Sequence, residues 1–164
     1  MMFDISKSVG CTERMNYLKR GFLFYMCSSC MLLVQFAIYL VNSNYWESLN
    51  FVGGFYYLMA ALGQAFLFNL IPWVILYIPF TWWRQMRKVG TILFSCAIFL
   101  LNVLAYLNGI VFQLYKFHIN GFVLDLAFGG GGNQVFVFNN TLILHGVLIG
   151  LLILLFTLAV VFIA

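Results

Sequence analysis

Long apolar runs, separated by short polar segments, dominate the pattern of this chain. A run of about 20 apolar residues forms a helix long enough to cross the hydrocarbon layer of a bilayer. Four runs meet this length, and a polar segment at residues 1–20 precedes them. The pattern therefore predicts an all-α integral membrane domain (residues 21–164) with four transmembrane helices, at residues 21–41, 52–82, 89–115 and 135–164.

The second run could form one span or two. As a single helix, residues 52–82 would be about 45 Å long, which exceeds the hydrocarbon thickness but is too short for two spans and a turn. The cations of the N-terminal segment and of the connector Arg84, Arg87 and Lys88 belong on one side of the membrane, so an even number of crossings separates them. If residues 52–82 form one span, this span and the first one make two crossings between the cations, which satisfies the condition. The cations, and with them the N-terminus, then lie in the cytoplasm. Because Pro72 lacks an amide donor, we expect a kink near it.

The segment between the third and fourth spans is the longest connection between apolar runs. Asn120 is a typical N-cap residue and Gly129 a typical helix terminator, which predicts a short helix at about residues 120–128. This helix is too short to span the membrane and too apolar for water, so we expect it to lie on the outer leaflet. Four polar residues of this segment are candidates for an interface on the outer side: Lys116, His118, Asn120 and Asp125. Alternatively, they only form hydrogen bonds that fix the loop.

Composition agrees with a membrane domain. Charged residues make up 7% of the chain and hydrophobic residues 65%, and the mean hydropathy is +1.03, which excludes an ordinary soluble domain. The net charge of +4 does not indicate nucleic acid, because the cations lie at span ends. Five of these cations are candidates for binding anionic lipid headgroups: Lys19, Arg20, Arg84, Arg87 and Lys88. Alternatively, they only determine the orientation of the spans in the membrane.

The sequence offers little catalytic chemistry. Cys27 and Cys30 have the spacing of thiol oxidoreductases, but they lie in an apolar span, where small inert residues at a helix contact are the alternative interpretation. The two histidines lie far apart, which argues against a metal site. Neither a Ser/His/Asp set nor a carboxylate pair is evident. We therefore expect no enzyme activity, cofactor or metal in this part of the protein.

Several residues resemble a known family. Phe112 and Phe117-His118-Ile119-Asn120, followed by the short Val/Leu-rich helix, resemble the N-terminal membrane domain of an inner-membrane sulfatase-like family of Gram-negative bacteria (the YejM/PbgA type). The basic connector after the second span and the spacing of the spans agree with it. The chain has Asn108 where that family leads us to expect an acidic residue.

The resemblance implies a location in the bacterial inner membrane, with membrane phospholipids, including cardiolipin, or lipopolysaccharide as partners. It also implies a fifth span and a periplasmic sulfatase-like domain beyond Ala164, and the apolar residues up to Ala164 suggest a fragment. The expected function is a membrane-anchoring, lipid-facing regulatory domain in outer-membrane lipid and lipopolysaccharide homeostasis. A plain anchor for an active hydrolase or phospho-group transferase is the main alternative, and a thiol oxidase is the third.

Overall fold

A computed structural model describes residues 2–42, 50–116, 118–121, 123, 125 and 140–163. The regular structure of these residues is helical throughout. Its long helices are α1 (Met2–Asn42), α2 (Phe51–Pro72), α3 (Arg87–Tyr115) and α4 (Asn140–Ile163). Four helical stretches in the described residues are long and apolar enough to cross a membrane, which confirms the predicted fold class: Cys11–Val41, Phe51–Thr81, Arg84–Tyr115 and Ile143–Phe162.

The first helix is much longer than the span predicted within it. At about 1.5 Å per residue, α1 reaches about 60 Å, twice the thickness of the hydrocarbon layer. The helix passes through residue 21 without a break, so the polar N-terminal segment and the first span form one continuous element. Its N-terminal part can therefore contact the connector between the second and third spans.

The helix type changes at Pro72, near the position where the sequence predicted a kink. Beyond this residue the second span continues as a π-helix (Trp73–Tyr77) and a 3-10 helix (Ile78–Thr81). The amide of Ile78 donates to the carbonyl of Trp73 five residues earlier, which is the hydrogen-bond spacing of a π-helix. An extended residue, Trp83, then separates this span from a short 3-10 turn that leads into α3.

The third span ends in a left-handed residue. Lys116 has φ 62° and donates its amide to the carbonyl of Phe112 over 2.9 Å. Asn120 Oδ1 accepts a hydrogen bond from the amide of Val123 over 3.0 Å, which confirms the predicted N-cap. Gly121, Val123 and Asp125 are helical, whereas the remainder of the predicted short helix and the glycines after it lie outside the described residues.

Aromatic side chains make up much of the bundle core. The core cluster joins α1, the π-helix, α3 and α4, and its buried members are Tyr17, Phe24, Tyr25, Tyr77, Phe94, Ile98 and Val160. Phe24 and Phe94 meet edge to face with ring centroids 5.1 Å apart. Many other large apolar side chains are exposed, as expected of helices that face lipid.

Candidate functional site

The basic end of the bundle is organised around Glu13. This α1 carboxylate lies 3.0 Å from Arg84 and 3.6 Å from Arg87. The two arginines differ in exposure, because the Arg87 side chain is 14% exposed and that of Arg84 is 77% exposed. Glu13 therefore ties the extended N-terminal part of α1 to the connector after the second span.

Arg87 also contacts Tyr17, which is one of two stacked tyrosines. The Tyr17 and Tyr77 rings stack with centroids 4.2 Å apart, and the Tyr77 hydroxyl donates to the Tyr17 carbonyl over 2.8 Å. The Tyr17 hydroxyl donates to the Arg87 carbonyl over 3.2 Å, and the Arg87 guanidinium lies 5.7 Å from the centroid of the Tyr17 ring. A guanidinium nitrogen of Arg87 donates to the Thr81 carbonyl over 3.3 Å. Arg87 is thus part of the packing of this end.

The other four lipid-headgroup candidates are exposed. Lys19 and Arg20 lie on α1, Arg84 on the connector and Lys88 in the first turn of α3. Exposed cations at a span end can contact anionic headgroups through charge and hydrogen bonds. The sequence grouped all five cations together, and the structure separates Arg87 from the rest.

At the opposite end, Asn108 holds the chain that follows α3. Its Oδ1 accepts the amide of Ile119 over 2.8 Å, and its Nδ2 lies 3.2 Å from Nδ1 of His118. The His118 ring stacks on Phe112 with centroids 4.5 Å apart, and the Lys116 ammonium lies 6.0 Å from the Phe112 centroid. These contacts match the loop-fixing alternative for His118 and give Asn108 a role that needs no charge.

The remaining candidates at this end do not join that cluster. Asn120 caps the short helix, and Asp125 is exposed on it. His118 is not helical, so it does not share a helix face with Asp125. Lys116, His118 and Asp125 are all exposed, which leaves them accessible as predicted interface residues.

A network of amides and hydroxyls crosses the bundle interior. Ser28 of α1 donates to Asn69 Oδ1 over 3.2 Å and accepts from Asn102 Nδ2 over 3.3 Å. Asn69 Nδ2 also donates to Ser29 over 3.2 Å, and Gln35 Nε2 donates to Asn102 Oδ1 over 3.3 Å. These five side chains link α1 to α2 and α3, and four of them are buried, namely Ser28, Ser29, Asn69 and Asn102. The sequence showed amides within apolar spans, but their spacing along separate helices did not reveal which of them pair.

The serines between the two cysteines form the buried contact. Ser28 and Ser29 are fully buried, Cys27 is half-buried and Cys30 is exposed. The interpretation of the cysteine pair as small residues at a helix contact is therefore wrong for Cys30. Among the described residues, the structure contains no group of three His, Cys, Asp or Glu side chains that could hold a metal.

An apolar groove opens between α1 and α2 in the half of the bundle away from the basic end. Its volume is about 790 Å³, and its lining includes Leu33, Ala37, Leu58 and Ala61. Tyr57 also lines it and donates its hydroxyl to a backbone carbonyl of α1 over 2.7 Å. Such an apolar surface suits acyl chains.

One comparison with known proteins gives a match. The family described as "Domain of unknown function (DUF3413)" matches residues 12–164, which is nearly the whole chain. No curated protein and no solved structure matches the chain.

Proposed function

The chain belongs to the DUF3413 family, and we propose that it serves as the membrane-anchoring and lipid-facing regulatory domain of a sulfatase-like inner-membrane protein. The protein would be of the YejM/PbgA type and would take part in outer-membrane lipid and lipopolysaccharide homeostasis. The four helices that can span a membrane support the anchoring part of this proposal. The regulatory part depends on the lipid contacts made by the exposed cations.

Three of the residues that carry the family resemblance lie together after α3, namely Phe112, His118 and Ile119. Phe112 stacks on His118, Asn108 binds the amide of Ile119, and Asn120 begins the next helix. The resemblance therefore rests on residues that shape the chain after α3, which supports treating this segment as a defined surface. We propose that it faces the periplasm and that Lys116, His118, Asn120 and Asp125 meet a periplasmic sulfatase-like domain.

The single observation that carries the lipid-binding proposal is the exposure of four cations at one end. Lys19, Arg20, Arg84 and Lys88 are exposed beside lipid-facing apolar helices. A basic residue near an anionic leaflet contributes about 1 kcal/mol to membrane binding. With the N-terminus in the cytoplasm, these cations would meet the phosphates of cardiolipin or other acidic phospholipids.

Native mass spectrometry of the detergent-purified chain tests this proposal. We expect cardiolipin and phosphatidylglycerol to bind more tightly than phosphatidylcholine. Replacing Lys19, Arg20 and Lys88 by serine should weaken the binding of the anionic lipids by about fivefold per cation removed. Lys116→Ser is the matched control, because it removes an exposed cation from the opposite end. Equal losses in the control and the triple variant would refute a specific site.

A plain anchor for an active hydrolase is the second candidate. The ion pairs of Glu13 with Arg84 and Arg87 favour it, because they show that two of the five cations have partners within the fold. In cells that carry the full-length protein, a plain anchor predicts unchanged lipopolysaccharide content when Lys19, Arg20 and Lys88 are replaced. The regulatory function predicts altered content at unchanged protein abundance.

A further inference from the structure

The second span carries an exposed stripe that differs from ordinary lipid-facing surface. Its members recur every three or four residues on one side of α2, and they are Tyr56, Ala60, Gly63, Gln64, Leu67 and Ile71. Ala60 is half-buried and the other five are exposed. The stripe contains a polar amide and a glycine side by side, where lipid contact alone would favour large apolar residues.

Gln64 lies near the middle of its span. At about 1.5 Å per residue, it stands about 20 Å along the helix from Phe51 and about 25 Å from Thr81. Its side chain forms no hydrogen bond with any residue that the structure describes. Lipid tails offer neither donors nor acceptors, so an amide at this depth needs a protein partner.

The neighbouring glycine leaves room for such a partner. A Cβ atom built on Gly63 would meet no heavy atom within 4 Å, so the absence of a side chain serves no contact inside the described fold. Gly21 and Gly90 differ, because aromatic side chains of this chain pack directly against them. Small residues beside a polar amide are typical of surfaces where two transmembrane helices approach closely.

We propose that this stripe is the interface of a homodimer in which Gln64 of one copy pairs with Gln64 of a second copy. All copies insert with the same orientation, so the two amides lie at the same depth. A primary amide both donates and accepts, so one twofold-related pair satisfies both side chains. The stripe carries no charge, so a second copy meets it without repulsion or an unpaired ion.

The interior amides support this assignment by contrast. Asn69 and Asn102 are buried, and each is bonded to Ser28 and to a backbone carbonyl of its own helix. Those amides hold the helices of one copy together. Gln64 has the same chemistry at a similar depth but faces outward, which extends the same kind of bond to a second copy.

Disulfide cross-linking in native membranes locates the interface. In a background with all four native cysteines replaced by alanine, we expect oxidation to link Gly63→Cys and Leu67→Cys into dimers. Leu100→Cys is the matched control, because this side chain is 57% exposed near the middle of α3. Equal cross-linking at Leu100→Cys, or none at the two α2 positions, would overturn the proposal. So would cross-linking of Gly63→Cys mainly to a different membrane protein.

Energy transfer between labelled copies in phosphatidylcholine vesicles tests the amide pair itself. Gln64→Leu should weaken association between about threefold and thirtyfold, because an intramembrane amide bond contributes modestly to helix association. Gln64→Asn keeps the amide and should retain most of the association. Both variants should elute and unfold as the wild-type monomer does, since Gln64 is exposed and forms no hydrogen bond with a described residue. Unchanged association in Gln64→Leu would refute the reciprocal pair.

Discussion

The close approach of α1 to the π-helix at Gly21 makes Gly21→Ala a sharp test of the packing. A Cβ atom on residue 21 would overlap the Tyr77 ring at three carbon atoms. The ring has little freedom to move, since Tyr77 is 3% exposed, is stacked on Tyr17 and is held by its hydroxyl on the Tyr17 carbonyl. The added methyl group must therefore displace the ring or separate the two helices.

The expected loss in the free energy of unfolding is the sum of destabilising and stabilising effects. Overpacking a well-filled core costs about 1–3 kcal/mol. Displacing Tyr77 also loses a stacked aromatic pair and a hydrogen bond, each about 0.5–1.5 kcal/mol. The higher helix propensity of alanine offsets up to about 1 kcal/mol of this destabilisation. We therefore expect Gly21→Ala to lower the free energy of unfolding by about 2–4 kcal/mol.

Reversible unfolding in mixed micelles of increasing dodecyl sulfate measures this loss. Gly146→Ala is the control, because a Cβ atom at Gly146 meets nothing within 4 Å and only the propensity gain remains. In a Tyr77→Leu background the Gly21→Ala penalty should fall sharply, because the obstructing ring is gone. If Gly21→Ala proved as stable as Gly146→Ala, the described crossing of α1 and the π-helix would be wrong.

Two further predictions concern the ends of the bundle. Arg87→Ala should destabilise the chain by about 1–3 kcal/mol in the same unfolding assay, because it removes the contacts of a largely buried guanidinium with Glu13, Tyr17 and Thr81. Arg84→Ala removes a more exposed ion pair, so it should cost less than about 1 kcal/mol. Equal losses in the two variants would contradict the difference in their roles. At the opposite end, Asn108 Oδ1 accepts a hydrogen bond from the Ile119 amide, so Asn108→Ala should speed the hydrogen exchange of that amide after correction for its intrinsic rate. Unchanged protection of the Ile119 amide in this variant would refute the arrangement.

The sequence predicted the elements of this fold far better than their contacts. Run lengths and the charge distribution correctly predicted four helices, and Asn120 the cap. Each of these signals acts within a few residues along the chain. The structural role of Arg87 depends instead on Glu13, Tyr17 and Tyr77, which come from other parts of the chain, so no local pattern separated it from its exposed neighbours.

The faces of the helices were harder to predict for a second reason. In a soluble helix, apolar residues mark the buried side, but here the lipid-facing and protein-facing sides are both apolar. Ser28 and Cys30 lie in the same run, yet one is fully buried and the other is exposed. Polar side chains become the informative ones, because an amide or hydroxyl in hydrocarbon must find a partner. Their positions indicate that a contact exists without naming the partner.

Polar contacts join three of the four long helices. Hydrogen bonds between side chains join α1 to α2 and α3 through Ser28, and the Glu13 ion pairs add a second link between α1 and the third span. The buried Thr157 of α4 donates its hydroxyl to a carbonyl of α4 itself. Apolar packing on α3 and α1 holds α4. Since apolar residues gain no hydrophobic stabilisation by leaving lipid for protein, α4 depends on the closeness of this packing, whereas α1, α2 and α3 also share polar contacts.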